Sequence, residues 1–277
     1  MQYIEHDGFV EISNPLDFDP IKIFECGQCF RWNADENGVY RGVAHGIPAK
    51  VWSEGNSVFI SGSMDEFKSV WYNYFDMDRD YAKAREELSI DEYTGAAAEY
   101  GAGIRILQQD KWEALCSFII SQCNNIPRIK KIVETLCQYF GKELEFEGDK
   151  VYTFPDANKV ASLTVEDLAP LRCGYRAPYI IGAAKAVAGG SLDLEALAKS
   201  DFNTALKALK SLNGIGDKVA NCVILFGLCI PDAFPIDVWM KKALAAHYPK
   251  DFDPKIFGEN AGLAQQYIFY YARSGNV

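Results

Sequence analysis

Residues 206–223 read LKALKSLNGIGDKVANCV, a pattern that predicts a helix, a tight turn at Gly214-Ile215-Gly216 and a second helix. The two glycines allow backbone conformations that a Cβ atom would forbid. The turn would present successive N–H groups at the positive end of the second helix, an anion site that suits a DNA phosphate. Similar turns also form helical corners inside protein cores, so the turn alone leaves a purely structural interpretation open.

Two charged residues near this turn indicate chemistry as well as binding. Lys218 lies in the first turn of the second helix, where the helix dipole disfavours a cation. An uncharged amine is the form of lysine that can attack carbon. Asp237 follows an apolar helix and a turn, within Pro235-Ile236-Asp237-Val238. It is suited to cap the next helix, and also to place a carboxylate beside Lys218, where positive charge would develop on a sugar.

The rest of the chain divides into a strand-rich part and a helical part. Short β-prone runs before about residue 65 predict an antiparallel sheet; they are residues 9–12, 29–32, 39–43, 50–52 and 58–60. Apolar stripes at helical spacing follow, and helices are expected near 112–119, 126–140, 178–189, 203–212, 217–228, 237–247 and 262–273. We therefore expect an α+β fold, with an N-terminal antiparallel β-sheet domain (1–85) packed on a mostly α-helical body (86–277) that carries the catalytic cleft.

Composition places the chain among ordinary globular proteins. Hydrophobic residues make up 49% and charged residues 24%, and a length of 277 residues suits about two domains. No run of 18 apolar residues indicates a membrane span, and the first residues do not resemble a secretory signal. Several of the eight cysteines lie in apolar helical runs, which indicates a reducing, cytoplasmic compartment. A monomer is expected.

Two features of the composition argue against particular functions. Cys26 and Cys29 form a C-x-x-C pair, but no partner set stands at zinc-like spacing, so metal or redox chemistry there is disfavoured. The net charge of −10 argues against a general nucleic-acid binder, since such proteins are usually basic. Backbone amides and a few local cations can still hold phosphate, with weak non-specific binding as the consequence.

The turn, the lysine two residues after it and the Pro-Ile-Asp-Val element together resemble the helix-hairpin-helix glycosylase superfamily. Within that superfamily the chain most resembles the 8-oxoguanine DNA glycosylases. Further elements similar to that family follow one another in its order, at residues 27–32, 117–129, 174–177 and 261–265. The resemblance therefore extends over nearly the whole chain.

The resemblance implies a bifunctional DNA glycosylase and lyase that excises 8-oxoguanine from duplex DNA. Lys218 would attack C1′ of the flipped nucleotide and form a Schiff base, from which β-elimination nicks the strand. Asp237 would support the developing oxocarbenium charge and cap its helix. No cofactor is implied for catalysis, and no iron–sulfur cluster. The implied partner is double-stranded DNA containing 8-oxoguanine.

The resemblance also assigns the base pocket. The carbonyl of Gly27 would accept from the N7–H group that distinguishes 8-oxoguanine from guanine, and glycine permits the close approach. Cys222 and Phe269 would sandwich the base, and Gln265 would bond its Watson–Crick edge. Without the resemblance, Cys222 and Phe269 would be interpreted as core residues.

The implied contacts with the duplex are more widely spread. Arg128 and Arg176 would bond the estranged cytosine, and Tyr175 would fill the stack as a wedge. The other implied DNA-binding residues are Asn124, Asn125, Gly214, Gly216 and Trp239. The backbone carbonyls of Lys210, Leu212 and Ile215 would hold a structural monovalent or divalent cation at the hairpin.

Two positions depart from the family pattern. Cys123 stands where the family has an asparagine that inserts into the vacated stack, and a thiol is a poor hydrogen-bond partner. Strict reading of the opposite cytosine is therefore in doubt. Trp239 stands where eukaryotic members carry a histidine near a DNA phosphate, and its indole N–H could donate instead.

Two other functions compete with this interpretation. The first is a glycosylase for another damaged base. No cysteine follows Cys229, which argues against members with an iron–sulfur loop, and Lys218 argues against alkylpurine glycosylases, which lack the lysine. The second is a helix-hairpin-helix DNA-binding module without catalysis, in which Lys218 and Asp237 would be structural.

Overall fold

The computed structural model describes all 277 residues and contains the predicted antiparallel sheet and helical body, so the α+β fold is confirmed. The strands are β1 Gln2–His6, β2 Phe9–Ser13, β3 Asn33–Ala34, β4 Tyr40–Ala44, β5 Ile47–Glu54, β6 Ser57–Ser61, β7 Glu143–Phe146 and β8 Asp149–Tyr152. The helices are α1 Pro20–Glu25, α2 Met64–Glu66, α3 Tyr72–Tyr74, α4 Tyr81–Leu88, α5 Glu92–Tyr100, α6 Lys111–Ile120, α7 Ile126–Phe140, α8 Ala157–Ala161, α9 Ala177–Ala188, α10 Leu194–Leu197, α11 Phe202–Lys210, α12 Asp217–Phe226, α13 Val238–His247 and α14 Ala261–Arg273. A π-helical segment, Phe67–Trp71, joins α2 to α3, and 3-10 turns lie at Ala169–Leu171, Gly174–Arg176 and Pro254–Asn260.

The six-stranded sheet has the order β1-β2-β6-β5-β4-β3, and every neighbouring pair is antiparallel. Alternate residues of its central strands are buried: Val10 pairs with Ile60 and Ile12 with Val58. This period-two pattern turns one face of the sheet towards a small core that also contains Trp71 from the π-helical segment. No helix is long and apolar enough to span a membrane.

A second and larger core fills the helical body, and the segment around residue 29 links it to the sheet core. Cys26 and Phe30 belong to the helical core, whereas Cys29 and Trp32 belong to the sheet core. The C-x-x-C thiols therefore lie in different cores, and burial raises the pKa of Cys26 to about 12. The segment serves as a bridge between the two cores rather than as part of a strand.

The prediction of a strand at 29–32 is wrong, because these residues pair with no neighbouring strand and their apolar side chains enter two different cores. Only the two residues that follow form strand β3. The prediction also missed α1, whose first turn is capped by Asp19, and the hairpin β7–β8 inside the helical body. The helices predicted from residue 178 onward are confirmed to within two residues at each end.

Candidate active site

A cavity of about 330 Å³ lies where α6, α7, α12 and α14 meet the turn at residues 26–30. Its volume is near the lower end of the roughly 300–1,000 Å³ typical of small-molecule sites. The structure brings the following predicted site residues to its wall: Gly27, Asn124, Asn125, Lys218, Cys222, Asp237, Trp239, Gln265 and Phe269. Residues more than 200 positions apart in the sequence therefore line one cavity.

Lys218 lies in the first turn of α12, and its side chain is half-buried. Its Nζ lies 3.4 Å from the hydroxyl oxygen of Ser121 and 5.8 Å from the centroid of the Phe118 ring. Ser121 is itself held at the end of α6, where its hydroxyl donates to the carbonyl of Phe118 at 2.8 Å. The amine thus has one weak hydroxyl partner and an aromatic neighbour, and no carboxylate lies within salt-bridge distance of it.

Asp237 lies just before α13 and is also half-buried. Its Oδ1 accepts a hydrogen bond from the backbone N–H of Met240 at 2.9 Å, so it is the N-cap that the sequence predicts. The thiol of Cys222 lies close enough to Lys218 and Asp237 for both charges to affect its pKa. Burial raises its pKa, the ammonium of Lys218 opposes the rise, and the carboxylate of Asp237 adds to it.

Two unpaired acceptors belong to residues of the cavity wall. Gln265 is only 4% exposed, and its amide oxygen Oε1 is buried without a hydrogen-bond partner. Gly27 has a φ of +83°, as a turn glycine requires, and its carbonyl accepts no hydrogen bond. An unpaired buried acceptor is costly, so Gln265 Oε1 is suited to a ligand that brings a hydrogen-bond donor, and the half-buried Gly27 offers a second free acceptor on the same wall.

The hairpin between α11 and α12 forms as predicted, but its two glycines differ. Gly214 has a φ of +83°, and a Cβ atom there would lie 2.3 Å from the ring of Tyr179. Gly216 is extended, with φ −98° and ψ −178°, so its predicted need for a glycine-only conformation is wrong. A Cβ at Gly216 would meet open space, and the backbone N–H groups of both glycines donate to no acceptor within the protein.

The carbonyls assigned to a cation lie on the same hairpin. Those of Lys210 and Ile215 accept no backbone hydrogen bond, and that of Leu212 accepts one from the N–H of Ile215 at 3.2 Å. Carbonyl oxygens are ligands that hard cations accept, so the donor set fits such an ion. The ammonium of Lys210 is directed to Asp217 in an exposed ion pair.

The remaining predicted DNA contacts lie outside the cavity, around the turn between α6 and α7. Arg176 is 3% exposed and donates to the carbonyls of Gln122, Cys123 and Cys173. Tyr175 is 52% exposed and lies against the guanidinium of Arg176, whose carbon is 4.5 Å from the ring centroid. Arg128 is exposed and donates to the carbonyl of Arg172 at 3.2 Å.

The two departures from the family pattern, Cys123 and Trp239, lie at different places in the structure. Cys123 is exposed, with a left-handed φ of +47°. Trp239 is half-buried in the cavity wall, and the ammonium of Lys242 lies 4.6 Å from the centroid of its indole. The asparagines of the junction also have local roles, since Asn125 caps α7 through the N–H of Arg128 at 3.0 Å.

Of the wall residues outside the predicted site, four contact Lys218 or the turn at Gly27: Phe118, Ser121, Gln266 and Arg273. Phe118 looked like one member of an apolar stripe, and only the tertiary structure brings its ring under Lys218. Gln266 directly follows Gln265, and Arg273 lies seven residues beyond Gln266 on α14, so polar residues on an otherwise apolar helix were an available signal.

Comparison with known proteins shows that the whole chain is similar to 8-oxoguanine DNA glycosylases. A family model described as the 8-oxoguanine DNA glycosylase N-terminal domain matches residues 12–115, and one described as HhH-GPD superfamily base excision DNA repair protein matches residues 116–256. The structure is similar to that of MBOgg1 in complex with a low-affinity DNA ligand. The two share 40% identity and a TM-score of 0.94 over the whole of both chains.

Two further relatives support the same relationship. The Clostridium acetobutylicum 8-oxoguanine glycosylase/lyase, solved with double-stranded DNA containing cytosine opposite 8-oxoguanine, is 38% identical with a TM-score of 0.94. That match covers 100% of this chain and 99% of the other. The N-glycosylase/DNA lyase OGG1 of Arabidopsis thaliana is 33% identical over 89% of this chain and 75% of its own length.

Proposed function

Since the chain belongs to the 8-oxoguanine DNA glycosylases of the HhH-GPD superfamily, which are N-glycosylase/DNA lyases, we propose that it excises 8-oxoguanine from duplex DNA with Lys218 as the nucleophile. The observation that carries this proposal is the shared cavity. Its wall residues include Lys218, which has no carboxylate partner, Asp237, and two residues with acceptors that lack donors, the Gly27 carbonyl and Gln265 Oε1.

The proposed reaction begins when the amine of Lys218 attacks C1′ of the extruded nucleotide. The bond between C1′ and the base nitrogen breaks, and the base leaves with its electron pair and takes up a proton. Asp237 stabilises the positive charge that develops on the sugar, since a carboxylate in a sheltered cavity interacts strongly with such charge. Loss of the proton on nitrogen and opening of the sugar ring give the Schiff base between Lys218 and C1′.

Strand nicking follows from the Schiff base by β-elimination. The iminium acidifies the 2′ position, so loss of a 2′ proton expels the 3′ phosphate and breaks the strand. Ser121 contacts the amine from the end of α6 and helps to orient it towards the sugar. The ring of Phe118 packs beside the amine, with its centroid 5.8 Å from Nζ.

Base recognition in this proposal uses the two unpaired acceptors. The carbonyl of Gly27 accepts from N7–H, a donor that 8-oxoguanine has and guanine lacks. The Oε1 atom of Gln265 accepts from donors on the Watson–Crick edge of the base. Cys222 and Phe269 contact the faces of the base, and the raised pKa of Cys222 keeps its thiol neutral against an aromatic ring.

The duplex is held mainly by backbone amides in this proposal, which accords with a net charge of −10. The unpaired N–H groups of Gly214 and Gly216 bind a phosphate at the start of α12. A structural cation held by the carbonyls of Lys210, Leu212 and Ile215 would add positive charge beside that phosphate. Tyr175 fills the stack, and Arg128 contacts the estranged base. Arg176, which the sequence also assigned to that base, is buried and donates to the carbonyls of Gln122, Cys123 and Cys173, so it supports the turn beside the base instead. A monomer in a reducing, cytoplasmic compartment suits this activity.

A panel of lesion-bearing duplexes tests the proposal against its two rivals. Duplexes with 8-oxoguanine, 3-methyladenine, uracil or no lesion are incubated with enzyme, and free base and nicked strand are measured separately. We expect release of 8-oxoguanine with nicking that needs no added alkali. Release of an alkylated base alone would instead support a glycosylase for another lesion. Binding without release of any base would support a non-catalytic module.

A further inference from the structure

The backbone carbonyls on either side of Gly27 all accept hydrogen bonds from side chains. The carbonyl of Glu25 accepts from the guanidinium of Arg273, and that of Cys26 accepts from the side-chain amide of Gln266 at 2.8 Å. The carbonyl of Gln28 accepts from the side-chain amide of Gln109 at 2.8 Å. Of these four successive carbonyls, only that of Gly27 accepts no hydrogen bond.

Helix α14 supplies both the supports of this turn and part of the base pocket. Gln265 and Phe269 line the cavity from α14, while Gln266 and Arg273 of the same helix bond the two carbonyls before Gly27. Gln266 is 2% exposed, so breaking its bond would leave a buried amide and a buried carbonyl unpaired. The turn is thereby fixed relative to the residues that contact the base.

A glycine needs such support more than any other residue would. The φ of +83° at Gly27 lies in a region where glycine has wide freedom, so its peptide plane could otherwise rotate. The guanidinium nitrogen Nη1 of Arg273 also lies 3.6 Å from the position that a Cβ of Gly27 would occupy. Arg273 therefore packs against the turn as well as bonding to it.

Selectivity for the oxidised base depends on that rigidity. Guanine presents a lone pair at N7, and 8-oxoguanine presents an N–H donor there, so a fixed carbonyl attracts one and repels the other. A carbonyl that could rotate away would lose its attraction for the N7–H group of 8-oxoguanine. It would also no longer repel the N7 lone pair of guanine, so the preference between the two bases would fall. We infer that Gln266 and Arg273 are positioning residues that hold the Gly27 carbonyl in place and thereby set the preference for 8-oxoguanine over guanine. This inference rests on the proposed function.

The test compares affinities for three duplexes in a catalytically blocked Lys218→Gln background. The duplexes carry 8-oxoguanine, guanine or a tetrahydrofuran abasic analogue at one position, and dissociation constants are measured by fluorescence anisotropy. We expect Arg273→Met and Gln266→Met to lower the ratio of 8-oxoguanine to guanine affinity at least tenfold, while affinity for the abasic analogue changes less than threefold. Arg273→Lys, which keeps a donor, should restore most of the ratio.

Arg79→Met provides the matched control. The guanidinium of Arg79 donates to the side-chain oxygen of Asn260 at 2.6 Å and to no carbonyl of the turn, so its loss removes a comparable bond without releasing Gly27. An unchanged ratio in the Arg273 variant, or an equal fall in all three affinities, would overturn the inference. Arg273 is only half-buried, so its variant decides the matter if the Gln266 variant does not fold. Failure of the unmodified enzyme to release 8-oxoguanine would instead refute the proposed function.

Discussion

Asp237 accepts the backbone N–H of Met240 at 2.9 Å with one carboxylate oxygen, while its other oxygen accepts no hydrogen bond. The same side chain lines the cavity that contains Lys218. One carboxylate can therefore begin helix α13 and still present negative charge towards a sugar. These two roles are separable, because capping needs an oxygen acceptor and charge stabilisation needs a full negative charge.

Asp237→Asn separates the two roles. Asparagine caps helices as well as aspartate does, so the free energy of unfolding should change by no more than about 0.5 kcal/mol. Loss of the charge should slow single-turnover base release by roughly 10²–10³-fold, with little change in affinity for the 8-oxoguanine duplex. Equal losses of rate and affinity would indicate that Asp237 is only structural.

Cys123→Asn should sharpen the preference for cytosine opposite the lesion. Position 123 has a φ of +47°, which asparagine adopts more readily than most residues, and the amide offers donors and an acceptor that a thiol lacks. Excision rates are compared for 8-oxoguanine opposite each of the four bases. Cys123→Ala is the control, since it removes the thiol without adding an amide. Opposite-base ratios that are the same in both variants would refute this role of position 123.

The two hairpin glycines should respond differently to alanine. Gly214→Ala forces a Cβ against the Tyr179 ring at a left-handed φ, and should cost at least about 1–3 kcal/mol of stability. Gly216→Ala meets open space and should leave stability nearly unchanged, but the added methyl should weaken DNA binding by hindering approach of a phosphate to the amides. Urea unfolding and anisotropy titrations distinguish the two effects. A Gly216 variant with unchanged DNA affinity would contradict phosphate binding there.

Glu113 should make stability depend on pH. Burial raises its pKa from 4.5 to about 7, although Arg31 lies 3.7 Å away and opposes the rise. The folded protein therefore keeps this proton to a higher pH than the unfolded chain does. The resulting stabilisation is complete below the unfolded pKa and is lost as pH rises through the folded pKa.

The measurement compares the enzyme with its Glu113→Gln variant, which cannot ionise at this position. The free energy of unfolding of the variant, relative to the enzyme, should rise by about 3 kcal/mol between about pH 5 and about pH 8. Urea unfolding at the two pH values provides the numbers. A difference that stays constant with pH would show that Glu113 is not the group responsible.

The sequence was informative where local chemistry determined structure. The hairpin at 214–216, the cap at Asp237 and the amphipathic α7 follow from glycine conformation, capping and helical periodicity, and all three are present. The segment 29–32 misled because its apolar residues fill two different cores, which no local pattern reveals. The prediction for Gly216 was wrong because its backbone is extended, and a Cβ atom there would contact nothing in the protein.

The candidate site was predictable only where local sequence patterns or the family resemblance mark its residues. Lys218 and Asp237 stood out because the turn and its spacing mark them, and the resemblance supplied residues such as Gln265. The support of the Gly27 turn by Gln266 and Arg273 joins positions about 240 residues apart, so it could be found only from the folded structure.

Borohydride trapping tests the central claim, that the side chain of Lys218 becomes bonded to C1′. The enzyme is incubated with an 8-oxoguanine duplex and sodium borohydride, and the cross-linked complex is resolved by denaturing electrophoresis. We expect a covalent complex that Lys218→Gln abolishes and that Lys210→Gln retains, since Lys210 lies on the same hairpin in an exposed pair with Asp217. A trapped complex that survives in the Lys218→Gln variant would contradict the account.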